Sequence, residues 1–131
     1  MKYLLDTSVL LRSLMSAPEL SERALRLLAD ESSELYFSAA SSWEIIIKAE
    51  TGRLILPEPP AEFVTRAIRL MSLRPLEINY LHTLALAALP PHHRDPFDRM
   101  LIAQAREEGL TVLTTDRAFE KYQLELMYCG R

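Results

Sequence analysis

Short apolar runs of strand length alternate with helix-period segments along this chain, and that alternation restricts the fold more than any other feature. Residues 1–5 form an apolar run that stops at Asp6, and residues 7–15 then carry helical spacing. Residues 19–30 read as an amphipathic helix with Leu20, Ala24, Leu27 and Leu28 on one side. The aromatic-rich run 35–38 is a second strand, and 41–50 a helix that stops near Gly52. Pro57, Pro59 and Pro60 mark a loop before an amphipathic helix over 61–73. A short third strand is expected at 76–78, and a helix at 80–89 ended by Pro90 and Pro91. Residues 96–108 are helical up to Gly109, 111–114 a fourth strand, and 124–127 a fifth, with a short helix between the last two. Strands that alternate with helices pack as a parallel sheet covered on both faces. The expected fold is therefore α/β, a parallel-sheet α/β/α sandwich, as one domain over residues 1–131.

Size and charge narrow the function classes. A chain of 131 residues suits one domain and buries roughly two-thirds of its unfolded surface. Asp6 interrupts the N-terminal apolar stretch, so that stretch is not read as a signal peptide. No apolar run approaches the ~20 residues needed to cross a bilayer. Cys129 is the single cysteine, which leaves no disulfide framework and no thiolate metal site. A cytoplasmic protein with no membrane association is expected. The net charge of −3 argues against a nucleic-acid binder of the usual basic kind. Arg94, Arg99 and Arg117 adjoin acidic residues, however, and a local basic rim would matter more than the total.

Four acids, Asp6, Glu44, Asp98 and Asp116, stand where apolar runs give way to helical patterns. Each has a structural explanation. Ser41 and Glu44 have capping-box spacing. Asp95-Pro96-Phe97-Asp98 reads as an N-cap, a proline at the first helical position and a carboxylate near the positive end of the helix dipole. Asp6 and Asp116 have the form of caps for the helices after them. Together they point elsewhere, because Ser, Thr or Asn caps equally well, yet an acid recurs at nearly every junction. Ligands of open α/β sheets bind beyond the carboxyl ends of the strands. Carboxylates gathered there repel one another unless a cation joins them. Oxygen donors with no His–Cys cluster suit Mg²⁺ or Mn²⁺ better than zinc.

The segments LLDTSVLL, SSWEIIIKAETGRL, RDPFDRMLIAQA and LTVLTTD, in that order and spread over essentially the whole chain, resemble the acidic motifs of PIN-domain ribonucleases. The resemblance is nearest to the VapC-type toxins of bacterial and archaeal toxin–antitoxin pairs. It implies a Mg²⁺- or Mn²⁺-dependent endoribonuclease, a homodimer, silenced by a cognate antitoxin protein. Carried over residue by residue, Asp6, Glu44, Asp98 and Asp116 form the acidic site. Asp6 and Asp98 would ligate the metal directly, and Glu44 and Asp116 directly or through water. Thr114 falls where the family often has a hydroxyl near the site. Phosphodiester hydrolysis needs an activated water and charge neutralised on the phosphate, and one or two metal ions supply both.

Other residues carry two readings each. Lys48 lies one turn after Glu44 and is either an ion-pair partner or a phosphate contact; Arg99 and Thr114 are likewise candidates for substrate binding. Asp95 is an N-cap first and a site residue second. His92 and His93 are loop histidines, either solvated or serving as ligand or acid. His82 reads as structural, Trp43, Met71, Met100 and Met127 as core, and Cys129 as inert. The helices at 19–30 and 61–73 are amphipathic and together offer a groove for an antitoxin's apolar segment. The rival readings are a Mg²⁺-dependent phosphotransfer protein using Asp6, and a metal-stabilised non-catalytic binding module. Ser8 stands where the haloacid-dehalogenase pattern needs a second Asp, which weakens the first rival.

Overall fold

The computed structural model describes residues 1–15 and 19–131. The chain forms a five-stranded sheet, with every pair of neighbouring strands parallel. The strands are β1 (Lys2–Leu5), β2 (Glu34–Ser38), β3 (Arg74–Leu76), β4 (Thr111–Thr114) and β5 (Leu126–Tyr128), in the order β3-β2-β1-β4-β5. The helices are α1 (Thr7–Leu14), α2 (Glu22–Ala29), α3 (Ala39–Glu50), α4 (Pro60–Leu70), α5 (Tyr80–Ala85) and α6 (Pro96–Glu108).

Alternation along the strands divides the interior into two cores. Leu5, Leu35, Phe37 and Leu113 face one side, where Val9, Leu10, Ala24, Phe63 and Ala67 of α1, α2 and α4 cover them. Leu4 and Val112 face the other, against Leu101, Ile102 and Ala105 of α6 together with Phe119 and Tyr122. The period-2 strand and 3.6-period helix patterns therefore meet as a three-layer α/β/α sandwich, as the sequence implied. Met71 and Met127 pack against the first core and Met100 against the second. Among the described residues, no helix is long and apolar enough to cross a membrane.

The departures are local. Leu20 makes an antiparallel bridge with Gly130, so α2 begins only at Glu22, where the Ser21 hydroxyl accepts from the Ala24 N–H at 3.1 Å. β3 occupies Arg74–Leu76 rather than 76–78, pairing Arg74 with Tyr36 and Leu76 with Ser38. Pro75 is tolerated because β3 is an edge strand, where a missing N–H need not face a partner. Arg74 also pairs with Glu34 on β2 at 3.0 Å. The helix expected over 80–89 is α5 followed by a 3-10 turn at Leu86–Ala88. The short helix after β4 is a 3-10 turn at Arg117–Lys121.

α3 starts earlier than expected, at Ala39, because Ser38 caps it: the Ser38 hydroxyl accepts from the Ala40 N–H at 2.9 Å. Ser41 is inside the helix and Glu44 in its second turn, so no capping box joins them. Glu44 is thereby freed of its local structural explanation.

Candidate metal and active site

The strand order reverses beside β1: the chain runs from β1 out to β3, then returns to place β4 on the other side of β1. Such a reversal opens a crevice at the carboxyl ends of the two strands. Asp6 follows β1 and Asp116 closely follows β4, so both stand at that crevice. The second turn of α3 brings Glu44, and the first turn of α6 brings Asp98. All four carboxylates line one open cleft, joined by Asp95, Lys48, Arg12, Ser8 and Thr115.

Hydroxyls hold these carboxylates in place. Asp6 is buried and makes no side-chain cap bond to α1. Its Oδ2 instead accepts from Thr114 Oγ1 at 2.8 Å and from Ser8 Oγ at 2.9 Å. Glu44 is also buried; Thr7 Oγ1 donates to its Oε1 at 2.7 Å, and Lys48 Nζ donates to its Oε2. Thr114 Oγ1 accepts the Asp116 N–H at 2.9 Å, and Thr115 Oγ1 donates to Ser8 Oγ at 2.8 Å. Asp95 caps α6, taking the N–H groups of Phe97 at 2.8 Å and Asp98 at 3.3 Å. Asp116 caps the following turn through Ala118 N–H at 2.9 Å, leaving its Oδ2 free. Capping and site membership coexist in Asp116, while Asp98 is a cluster carboxylate that Asp95 relieves of capping.

The electrostatics follow from crowding. Burial pushes the Asp98 carboxyl up to about 8, and the charges of Asp6, Asp95, Glu44 and Asp116 add to the rise. Burial also raises Asp6, against the hydrogen bonds from Thr114 and Ser8 that favour its charged form. Burial alone would lower the Lys48 ammonium, but its hydrogen bond to Glu44 and the charges of Glu44, Asp95 and Asp98 leave it raised. Asp98 thus holds its proton to a higher pH than an ordinary carboxyl, and Asp6 shifts the same way. Carboxylate oxygens crowded in this way fit a hard divalent cation, which would supply positive charge between them.

Several expectations change here. Arg99 donates to the carbonyls of Pro90 at 3.0 Å and Leu86 at 3.3 Å, so it anchors the loop before α6 instead of lining the cleft. Arg117 bonds Glu120 at 2.7 Å and lies 3.6 Å over the Tyr128 ring, and Arg94 is exposed. The cations lining the cleft are Lys48 and Arg12, and Arg12 was not anticipated. Nor were Thr7, Ser8 and Thr115, although Asp-Thr-Ser after β1 and Thr-Thr-Asp after β4 set hydroxyls beside each acid. Trp43 is not core: it is 59% exposed and meets Phe97 edge to face at 5.3 Å. His93 joins the acids, its Nε2 lying 3.6 Å from Asp116 Oδ2, so the donor set is not purely oxygen. His82 is fully buried, between Asn79 in a reciprocal capping box and Glu108 at 2.8 Å. Burial pushes the Cys129 thiol up to about 11, away from the reactive thiolate.

Comparison with known proteins identifies the fold and the family. Ribonuclease VapC16 of Mycobacterium tuberculosis is 37% identical over 57 residues, which cover 44% of this chain and 40% of that protein. The chain thus matches less than half the length of that relative. The crystal structure of VapBC2 from Rickettsia felis, bound to a DNA fragment from their promoter, superposes with a TM-score of 0.76 at 18% identity. That match covers 99% of this chain and 100% of the other. A toxin–antitoxin complex from Klebsiella pneumoniae superposes with a TM-score of 0.64 at 20% identity, covering 95% of each chain. The PIN domain profile matches residues 3–124, nearly the whole chain, and the protein belongs to the PIN-domain family.

Proposed function

We propose that this protein is a Mg²⁺- or Mn²⁺-dependent endoribonuclease, acting as the toxin of a toxin–antitoxin pair. The observation that carries the reading is the convergence of Asp6, Glu44, Asp98 and Asp116 on one cleft at the sheet's switch point. Asp6 and Asp98 are the metal ligands in this reading, with Glu44 and Asp116 binding directly or through water. When bound, the cation supplies charge neutralisation at the attacked phosphate and makes a water nucleophilic near neutral pH. Thr114 and Ser8 keep the Asp6 carboxylate turned toward the cleft, and Thr7 does the same for Glu44. Lys48, held at the cleft by Glu44, offers a cation for an RNA phosphate, and Arg12 a second one. These two offset the acidic total where the polyanion must approach. The similarity to Ribonuclease VapC16 favours RNA as substrate, and the Klebsiella pneumoniae complex favours a cognate antitoxin as partner. A homodimer and a cytoplasmic location complete the reading.

Cells induced for the protein should acquire new RNA ends across the transcriptome, absent when Asp6→Asn is induced instead. Co-expression with an adjacent small reading frame should suppress both the new ends and the growth defect. Identical RNA ends in the parent and Asp6→Asn would remove the nuclease reading.

A further inference from the structure

His93 is a buried imidazole without a hydrogen-bond partner among the described residues. Its side chain is 9% exposed, and among the described residues neither ring nitrogen has a hydrogen-bond partner. The ring's position is set from outside the acid cluster. The His93 backbone N–H donates to the Tyr122 hydroxyl at 2.8 Å, and the ring packs edge to face on Phe119 at 5.2 Å between centroids. That packing aims Nε2 at two carboxylates, 3.6 Å from Asp116 Oδ2 and 3.9 Å from Asp98 Oδ2. Both separations exceed a hydrogen bond, and a charged pair would close to ~2.7–2.9 Å. They suit a different arrangement. Two ligands ~2.0–2.2 Å from one ion stand roughly 3–4.4 Å apart, depending on the angle between them. The three donor atoms all lie within 4.8 Å of one another.

We propose that His93, with Asp98 and Asp116, ligates the cation through Nε2 and tilts the site toward a first-row transition ion over Mg²⁺. The inference rests on the metal-dependent reading above and adds a nitrogen ligand to it. Imidazole is a borderline donor that binds transition ions well and Mg²⁺ poorly, so one nitrogen among carboxylates discriminates between them. Asp116 Oδ1 is occupied by the Ala118 N–H, which leaves Oδ2 on the His93 side for the ion. His92 stands one residue away and serves as an internal control. It is exposed and packs edge to face on Tyr122 at 5.1 Å.

The test uses Mn²⁺ as the probe on the full chain. Electron spin-echo envelope modulation of bound Mn²⁺ should show a directly coordinated nitrogen, shifted by ¹⁵N-histidine labelling and retained in His92→Gln. Calorimetry should show His93→Gln binding Mn²⁺ at least ~10-fold more weakly, a loss no smaller than that of an outer-shell partner. Its Mg²⁺ affinity should change by less than about threefold, since Mg²⁺ draws little on a nitrogen donor. The labelled parent needs no substitution, so a poorly folding His93→Gln leaves the test intact. Mn²⁺ bound without nitrogen modulation, yet lost in Asp98→Asn, overturns the His93 ligand and spares the metal reading. Mn²⁺ bound without nitrogen modulation, at an affinity unchanged in Asp98→Asn, overturns both.

Discussion

Thr114 ties three parts of the site together. Its hydroxyl donates to Asp6 and accepts from the Asp116 N–H, and its carbonyl takes the Cys129 N–H at 2.7 Å. Thr114→Val keeps the shape but removes the hydroxyl, leaving Asp6 with one hydrogen bond fewer in a buried setting. We expect divalent-cation affinity to fall ~10–100-fold, the usual effect of losing a group that orients a ligand. Titration calorimetry reads this directly, and unchanged affinity would show that Asp6 needs no such support. Asp6, Asp98 and Asp116 were legible in the sequence because each follows or opens an element, whereas Glu44 lies inside α3 and stood out only through its segment's resemblance. The hydroxyls that orient them were legible only as neighbours in the chain, since their bonds cross from β4 to β1 and from α1 to α3. Trp43 was misread for a related reason. The buried stripe of α3 is Ala40, Ser41, Glu44 and Ile45, and Trp43 falls outside it.

At the scale of elements, the start of α3 decides where Glu44 points. Ser38 is fully buried, caps the helix through Ala40, and donates to Gln104 Oε1 on α6. It therefore fixes the helix bearing Glu44 against the helix bearing Asp98. Ser38→Ala should cost ~2 kcal/mol, at the upper end for a cap, because Gln104 also loses a partner. Ser41→Ala should be neutral or stabilising, since the buried Ser41 hydroxyl has no hydrogen-bond partner among the described residues. Urea unfolding of the two variants distinguishes these positions, and the reverse ranking would restore the capping box at Ser41. The serine-rich stretch from Ser38 to Ser42 offers several caps, and only the register on β2 selects Ser38. The same dependence on pairing moved β3 to Arg74–Leu76, which local alternation could not indicate.

The whole molecule uses a parallel sheet to collect carboxylates whose mutual repulsion opposes folding. Its α/β/α layering was legible because strand and helix periods alternate throughout the chain. His93 was not, since its approach to the acids depends on Phe119 and Tyr122 beyond β4. Without metal, the folded chain holds the Asp98 proton up to about 8, against 3.8 for an ordinary Asp. The folded state binds more protons in that window, so metal-free stability should fall as pH rises from about 4 through about 8. Melting curves of the parent and Asp98→Asn, in EDTA and in excess Mg²⁺, at pH 6 and pH 8, test the cation site most directly. In EDTA, Asp98→Asn should be at least as stable as the parent, and its melting temperature less sensitive to pH. Mg²⁺ at 100 times Kd should stabilise the parent by about 2.7 kcal/mol and so raise its melting temperature, and raise the variant's far less. If instead Asp98→Asn were destabilised by ~0.3–1 kcal/mol in EDTA, the loss of a helix-dipole interaction, with an unchanged response to Mg²⁺, Asp98 would be a helix-start carboxylate and not a ligand.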